Sequence, residues 1–244
     1  MPNIVLINES AGVSDADVQA MLPAFDQQWN RDLSAVWGVE PATFAVLPGA
    51  RISESIAPAA GAWWVVFLDS SDQAAALAYH DLTNEGLPIA KVFVDPLLAE
   101  KATISVGASH EICEMAVDPW LNSAFQDSTG VFWAGEVCDP VDDEDYAYWI
   151  GEVLVTDFVT PDWFSHPRAD GRLDLRDHAH TPFQILSGGY AQLFQSRKGW
   201  MQVTGAKAMR NPRARTPAKG SRRERRARQA VEPLRRSQRR WPSA

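Results

Sequence analysis

Apolar positions along this chain follow two rhythms, one of strands and one of helices. Between residues 15 and 33, Val18, Met21, Leu22, Phe25 and Trp29 recur at helical period. Ser14 and Asp17 ahead of them have the spacing of a capping box, so the pattern predicts an amphipathic helix. Residues 4–7 and Thr43–Leu47 predict strands, the second closed by Pro48-Gly49. Residues 62–68 (Ala-Trp-Trp-Val-Val-Phe-Leu) are apolar on both faces, as a covered central strand is. Residues 74–81 fit helix and strand equally, and 86–94 ends in a clear strand that Asp95-Pro96 is expected to stop. A helical pattern returns over 103–117, and Pro119 biases Asp118 away from helical geometry and so ends it. Downstream, 136–141 and 152–159 predict two strands around the acidic turn Asp142-Asp143-Glu144-Asp145. Hairpin material continues through 183–186, 190–194 and 200–203, with Gly188-Gly189 as a turn signal. The class these elements predict is α/β (α+β), a mixed sheet carrying one central helix.

Composition adds a boundary to this picture. With 244 residues, 45% of them hydrophobic, and 10 Trp and 10 Phe, the chain can bury a full core. Its net charge of −8 hides an asymmetry: residues 1–196 carry 7 Lys and Arg against 29 Asp and Glu, and residues 197–244 carry 16 against 2. We therefore expect a folded domain over residues 1–204 and a basic, mostly disordered tail over 205–244. The stretch from Lys207 to Arg240 would neutralise phosphate without reading sequence, on nucleic acid or another anionic surface, or would pair with the acidic body. The N-terminus shows no basic segment leading an apolar one, so no export signal is expected. The strongly apolar run 63–68 is too short to span a bilayer. Two cysteines, Cys113 and Cys138, cannot build a disulfide framework. The expected location is cytoplasmic or virion-associated, without a membrane span.

The chemistry concentrates in residues 109–119, Ser-His-Glu-Ile-Cys-Glu-Met-Ala-Val-Asp-Pro. On a helix, positions i and i+4 share a face, so His110 and Glu114 can grip one ion. Glu111 then sits one residue round, where a general base for an ion-activated water belongs. Asp118 lies eight residues beyond His110, about 12 Å along a continuous helix, too far to share that ion, and is assigned to support. A third ligand is sought in Gly135-Glu136-Val137-Cys138-Asp139-Pro140, with Glu136 as the ligand and Asp139 as support. One imidazole and two carboxylates suit a divalent ion, zinc foremost, with Mn²⁺, Fe²⁺ and Ca²⁺ also open. The contrasting reading is a hydrogen-bonded polar seam without metal.

The Ser-His-Glu-x-x-Glu-x-x-x-Asp-Pro helix followed by Gly-Glu-Val-Cys-Asp resembles a loose group of zincin-like proteins. There, such a helix precedes a Gly-x-Glu-Ile-x-Asp segment. The likeness covers roughly residues 60–160. It extends to uncharacterised bacterial and phage proteins through Trp63-Trp64, Tyr79-His80-Asp81 and the segment 157–164. The resemblance implies a zincin-type fold and a metallopeptidase activity on a peptide or protein substrate. The chain departs from the familiar zinc motif at Glu114, where a second His is usual, and at Trp120, which breaks the Gly-then-His continuation of metzincins.

Other residues carry weaker expectations. His80 is placed in a loop ahead of an edge strand, facing either a cleft or, more commonly for such a His, solvent. Tyr146 and Tyr148 are candidates for oxyanion donation or for plain packing. Cys113 reads as a small core residue, and Cys138 as a minor candidate for a thiolate ligand. The acidic turn 142–145 is expected to be solvated surface, with Ca²⁺ binding as its alternative. Two functions follow: a metal-dependent hydrolase of peptidase type, or a non-catalytic binding or structural protein, such as a virion or host-interaction component, on the same scaffold.

Overall fold

The computed structural model describes residues 1–47, 58–73, 76–165 and 171–207. Within them the chain is mixed α/β, with a mixed sheet and few helices. Strands β1 (Asn3–Asn8), β2 (Thr43–Leu47), β3 (Trp63–Leu68), β4 (Ala78–Leu82) and β5 (Pro88–Phe93) form a five-stranded sheet in the order β2-β1-β3-β5-β4. All its pairings are parallel except that of β4, which runs antiparallel to β5 along one edge. The stretch 74–81 thus resolves toward strand, with residues 74 and 75 outside the described set.

Helix α1 (Asp15–Gln27) begins at the expected capping box, in which Ser14 accepts from the Asp17 N–H and the Asp17 carboxylate accepts from the Ser14 N–H. It does not run on unbroken. Pro23 lies within it, and a π-helical turn (Gln28–Leu33) follows, leading to α2 (Ser34–Trp37). The wider turn lets Gln28, Trp29 and Leu33 all be buried. Gln28 uses its burial to donate from Nε2 to the Thr156 carbonyl at 2.8 Å. Asp95-Pro96 does not simply stop β5. It lies in the first turn of α3 (Val94–Ala99), where proline's missing N–H costs no intrahelical bond.

Helix α4 (Ile104–Val117) is buried from Ser105 through Ala116. It packs on β4 and β5 on one side and on β9 (Val153–Val155) on the other. Sheet residues alternate accordingly. Val65, Phe67, Ala90 and Val92 join the main core with Ile112, Cys113 and Met115 of α4. Val5, Ile7 and Val66 point to the opposite face with Trp64 and Ile89. Ser109 fastens α4 from its far side, accepting the Thr156 N–H at 2.9 Å.

The C-terminal half departs furthest from its pattern. Residues 136–141 are not a strand: Asp139–Val141 is a 3-10 turn, since Pro140 has a fixed φ and no N–H for a ladder. Of 152–159 only β9 is strand, and its partner is β8 (Tyr148–Ile150) across the tight turn at Gly151. A second sheet has the order β11-β10-β7-β6, built from β6 (Ala124–Gln126), β7 (Phe132–Ala134), β10 (Tyr190–Gln195) and β11 (Gly199–Thr204). Residues 183–186 lie outside it. Gly188-Gly189 precede β10 instead of turning the hairpin, and pair through backbone bonds with Gly205 and Ala206. The chain is therefore anchored two residues past the expected boundary at 204. Residues 208–244, and with them nearly all of the basic tail, lie outside the described set. Among the described residues no helix is long and apolar enough to cross a membrane.

Candidate metal centre

Three elements converge on one buried cluster. Helix α4 supplies His110, Glu111 and Glu114, edge strand β4 supplies His80, and the segment after β7 supplies Glu136, Asp139 and Asp142. All seven are buried, none more than 5% exposed.

Helical geometry brings His110 Nε2 to 3.4 Å from Glu114 Oε1, and the 3-10 turn adds Asp139 Oδ1 at 3.3 Å from the same nitrogen. The other ring nitrogen, Nδ1, faces Asp142 Oδ1 at 3.4 Å. On the opposite side of Glu114, His80 Nδ1 lies 3.6 Å from Glu114 Oε2 and 3.5 Å from Glu111 Oε2. His80 Nε2 approaches Glu136 Oε2 at 3.9 Å. The Cys138 N–H donates to Glu114 Oε1 at 3.3 Å.

The imidazole–carboxylate separations lie beyond the usual 2.7–3.2 Å of an N–H···O bond. Those from His110 Nε2 and His80 Nδ1, 3.3–3.6 Å, match another geometry. Ligand atoms about 2.1 Å from a tetrahedral ion stand about 3.4 Å from one another. Two triads in the cluster, His110–Glu114–Asp139 and His80–Glu111–Glu114, each hold ligand atoms within 4.8 Å of one another. The described residues can thus hold a metal ion.

Of the residues singled out on sequence, His110 and Glu114 are brought together, with Glu111 beside them. Asp139, expected in a supporting position, joins His110 and Glu114 directly, whereas Glu136 stands on the His80 side of the cluster. Asp118 Oδ1 accepts from the N–H groups of Asn122 and Ser123 at 2.8 and 2.9 Å, fixing the chain as it leaves α4.

His80 is fully buried, not at the surface and not in a loop. It pairs with Ala90 of β5, whose side chain lies in the main core, so the register of the edge strand turns the imidazole toward α4. Its neighbours Tyr79 and Asp81 face the other way and help line a cleft with Trp64, Ile89 and Lys91 on the far side of the sheet. Asp142 also departs from expectation. It is buried while Asp143, Glu144 and Asp145 of the same acidic run are exposed.

Burial opposes ionisation of Glu114, yet His110 and then His80 beside it hold its carboxyl well below the ordinary range. Burial pushes the Cys138 thiol well up, as does Cys113 next to it, so the neutral thiol is favoured over a thiolate ligand. Tyr148 donates to Asp32 at 2.9 Å, and Tyr146 packs against the His178 ring at a tilt.

A separate group is formed by Asp157, two residues after β9, with Asp174 and His178. Asp174 accepts from the N–H groups of His178 and Ala179, which closes a turn. Burial, then the neighbouring Asp174, push the Asp157 carboxyl well above the usual carboxylate range. Comparison with protein-family models, curated proteins and solved structures finds no match for this chain.

Proposed function

We propose that this chain is a metal-dependent hydrolase of metallopeptidase type on a zincin-like scaffold. The observation that carries the reading is the spacing of His110 Nε2, Glu114 Oε1 and Asp139 Oδ1, set at ligand separations by a helix and a turn. Those three side chains would hold the ion, with zinc the first choice and Mn²⁺ or Fe²⁺ compatible with the same donors. A divalent ion there would supply a Lewis acid for the scissile carbonyl and lower the pKa of a bound water.

The chain's own residues do the remainder. Asp142 faces Nδ1 of His110 at 3.4 Å and would orient the ring, leaving Nε2 turned toward Glu114 and Asp139. Glu111, adjacent to His110 on the helix, takes the proton from the attacking water and returns it to the leaving amine. Asp118 and Ser109 hold the two ends of the active segment of α4 in register with the loops that follow.

A second reading has a specific observation behind it. Glu111 is only 3% exposed, which suits an ion-stabilised, non-catalytic binding or structural protein as well as an enzyme. Elemental analysis of the purified full chain, beside cleavage of casein and a peptide library by the native protein and Glu111→Gln, separates the two. The hydrolase reading expects bound metal in both proteins and a loss of roughly 100- to 10,000-fold in cleavage for Glu111→Gln. Metal without Glu111-dependent cleavage would support the binding protein. Absence of both would overturn the site altogether.

A further inference from the structure

We propose that the cluster is a two-ion centre, with the Glu114 carboxylate bridging a second divalent cation held by His80 and Glu111. The inference deepens the metal-site reading above and rests on it.

The two oxygens of Glu114 serve different partners. Oε1 stands 3.4 Å from His110 Nε2, in the triad with Asp139. Oε2 stands 3.6 Å from His80 Nδ1, in the triad with Glu111, whose Oε2 is 3.5 Å from the same nitrogen. Among the described residues, Glu114 is common to both triads and each imidazole belongs to one. A carboxylate that gives one oxygen to each of two ions sets them at the roughly 3.5–4 Å separation of two-metal hydrolytic sites. A single ion placed among His110, Glu114 and Asp139 is coordinated by neither His80 nor Glu111.

Formal charge points the same way. Glu111, Glu114, Glu136, Asp139 and Asp142 are all buried, so the cluster carries −5 when the carboxylates are ionised and the two ligating imidazoles are neutral. One divalent ion leaves −3 and two leave −1. Buried charge without compensation is costly, so the second cation relieves most of what the first leaves. Glu136, 3.9 Å from His80 Nε2, supplies the outer carboxylate of the second site, as Asp142 does for His110. Imidazole and carboxylate donors fit Zn²⁺, Mn²⁺ or Fe²⁺. Glu111 gives one oxygen to this ion and keeps the other for the proton.

The test uses the full chain stripped of metal and titrated with Mn²⁺ alone, read by equilibrium dialysis and electron paramagnetic resonance. Expected are two equivalents per chain with the spectrum of an exchange-coupled pair. His80→Ala and, in case alanine disturbs β4, His80→Gln should each retain one equivalent with an uncoupled signal. A single equivalent in the native chain, with Glu111-dependent cleavage intact, overturns the two-ion centre and leaves the hydrolase standing. Two uncoupled equivalents that survive both His80 variants overturn it as well, placing the second ion elsewhere. No bound Mn²⁺ or Zn²⁺ at all sinks the metal site and this inference together.

Discussion

His110 Nε2 and Asp139 Oδ1 stand 3.3 Å apart, one on a buried helix and the other on a 3-10 turn that proline rules out as a strand. That pairing ranks the candidate carboxylates. Asp139→Asn should lower the affinity for an ion held by His110 and Glu114 by roughly 100-fold or more, whereas Glu136→Gln should cost metal affinity about 10-fold, the lower end for an outer carboxylate. Competition against a chromophoric chelator measures both. Equal losses, or a larger one for Glu136→Gln, would reverse the ranking.

The parts of the site legible in sequence were those that a single helix defines. Period and spacing alone put His110 and Glu114 on one face with Glu111 beside them, and Ser14 with Asp17 announced the start of α1. His80 escaped because its direction depends on the register of β4 against β5, which pairs it with Ala90 and which no local pattern records. Asp142 escaped because one acidic run divides in space, its first residue buried against His110 and the next three in solvent. Glu136 and Asp139 were both visible as candidates, but choosing between them needs the turn at Pro140. The far half of the chain patterns as longer strands than it forms, since Val137, Val141 and Val159 are buried in the core from outside any strand.

Gly189 sets the position of Asp139 from behind. A Cβ built there would overlap the Pro140 carbonyl oxygen and press on the Asp139 carbonyl, and Pro140 also accepts from the Leu186 N–H at 2.9 Å. Gly189→Ala should therefore push the 139–140 backbone and cost about 1–3 kcal/mol of stability. Because the displaced segment carries the proposed ligand Asp139, metal affinity should fall about 10-fold, as for a loss of supporting structure. Thermal melts of the stripped protein and chelator competition on the loaded one report the two effects separately. An unchanged melt would mean that the turn yields freely.

Ser109 offers a test of how α4 is held that leaves the ligands untouched. Its Oγ accepts the N–H of Thr156, a buried pair. Ser109→Ala leaves that N–H buried without an acceptor, at about 1–3 kcal/mol. Urea denaturation should show the loss in the midpoint with no change in slope, and the number of bound metal equivalents should be that of the native chain. A change in stoichiometry would make Ser109 part of the metal site and not a fastening.

The group formed by Asp157 and Asp174 predicts a pH dependence of opposite kind to an ordinary surface carboxylate. Burial, then Asp174 beside it, raise the Asp157 carboxyl well above its value in an unfolded chain, about 3.9. A carboxyl raised on folding contributes its stability below the unfolded value and loses it as pH climbs through the folded one. Each unit between the two values corresponds to about 1.4 kcal/mol. Asp157→Asn keeps an oxygen to accept the Phe158 N–H, which Asp157 Oδ1 takes at 2.8 Å, and removes the ionisation. The variant should thus match the native protein near pH 4 and exceed it increasingly toward pH 8, by about 2–4 °C in melting temperature per kcal/mol for a domain of this size. Melts of both proteins across that range decide it. If Asn instead destabilises most at pH 8, Asp157 is ionised in the fold and held by a cation, with His178 Nδ1 at 3.4 Å the nearest source of one.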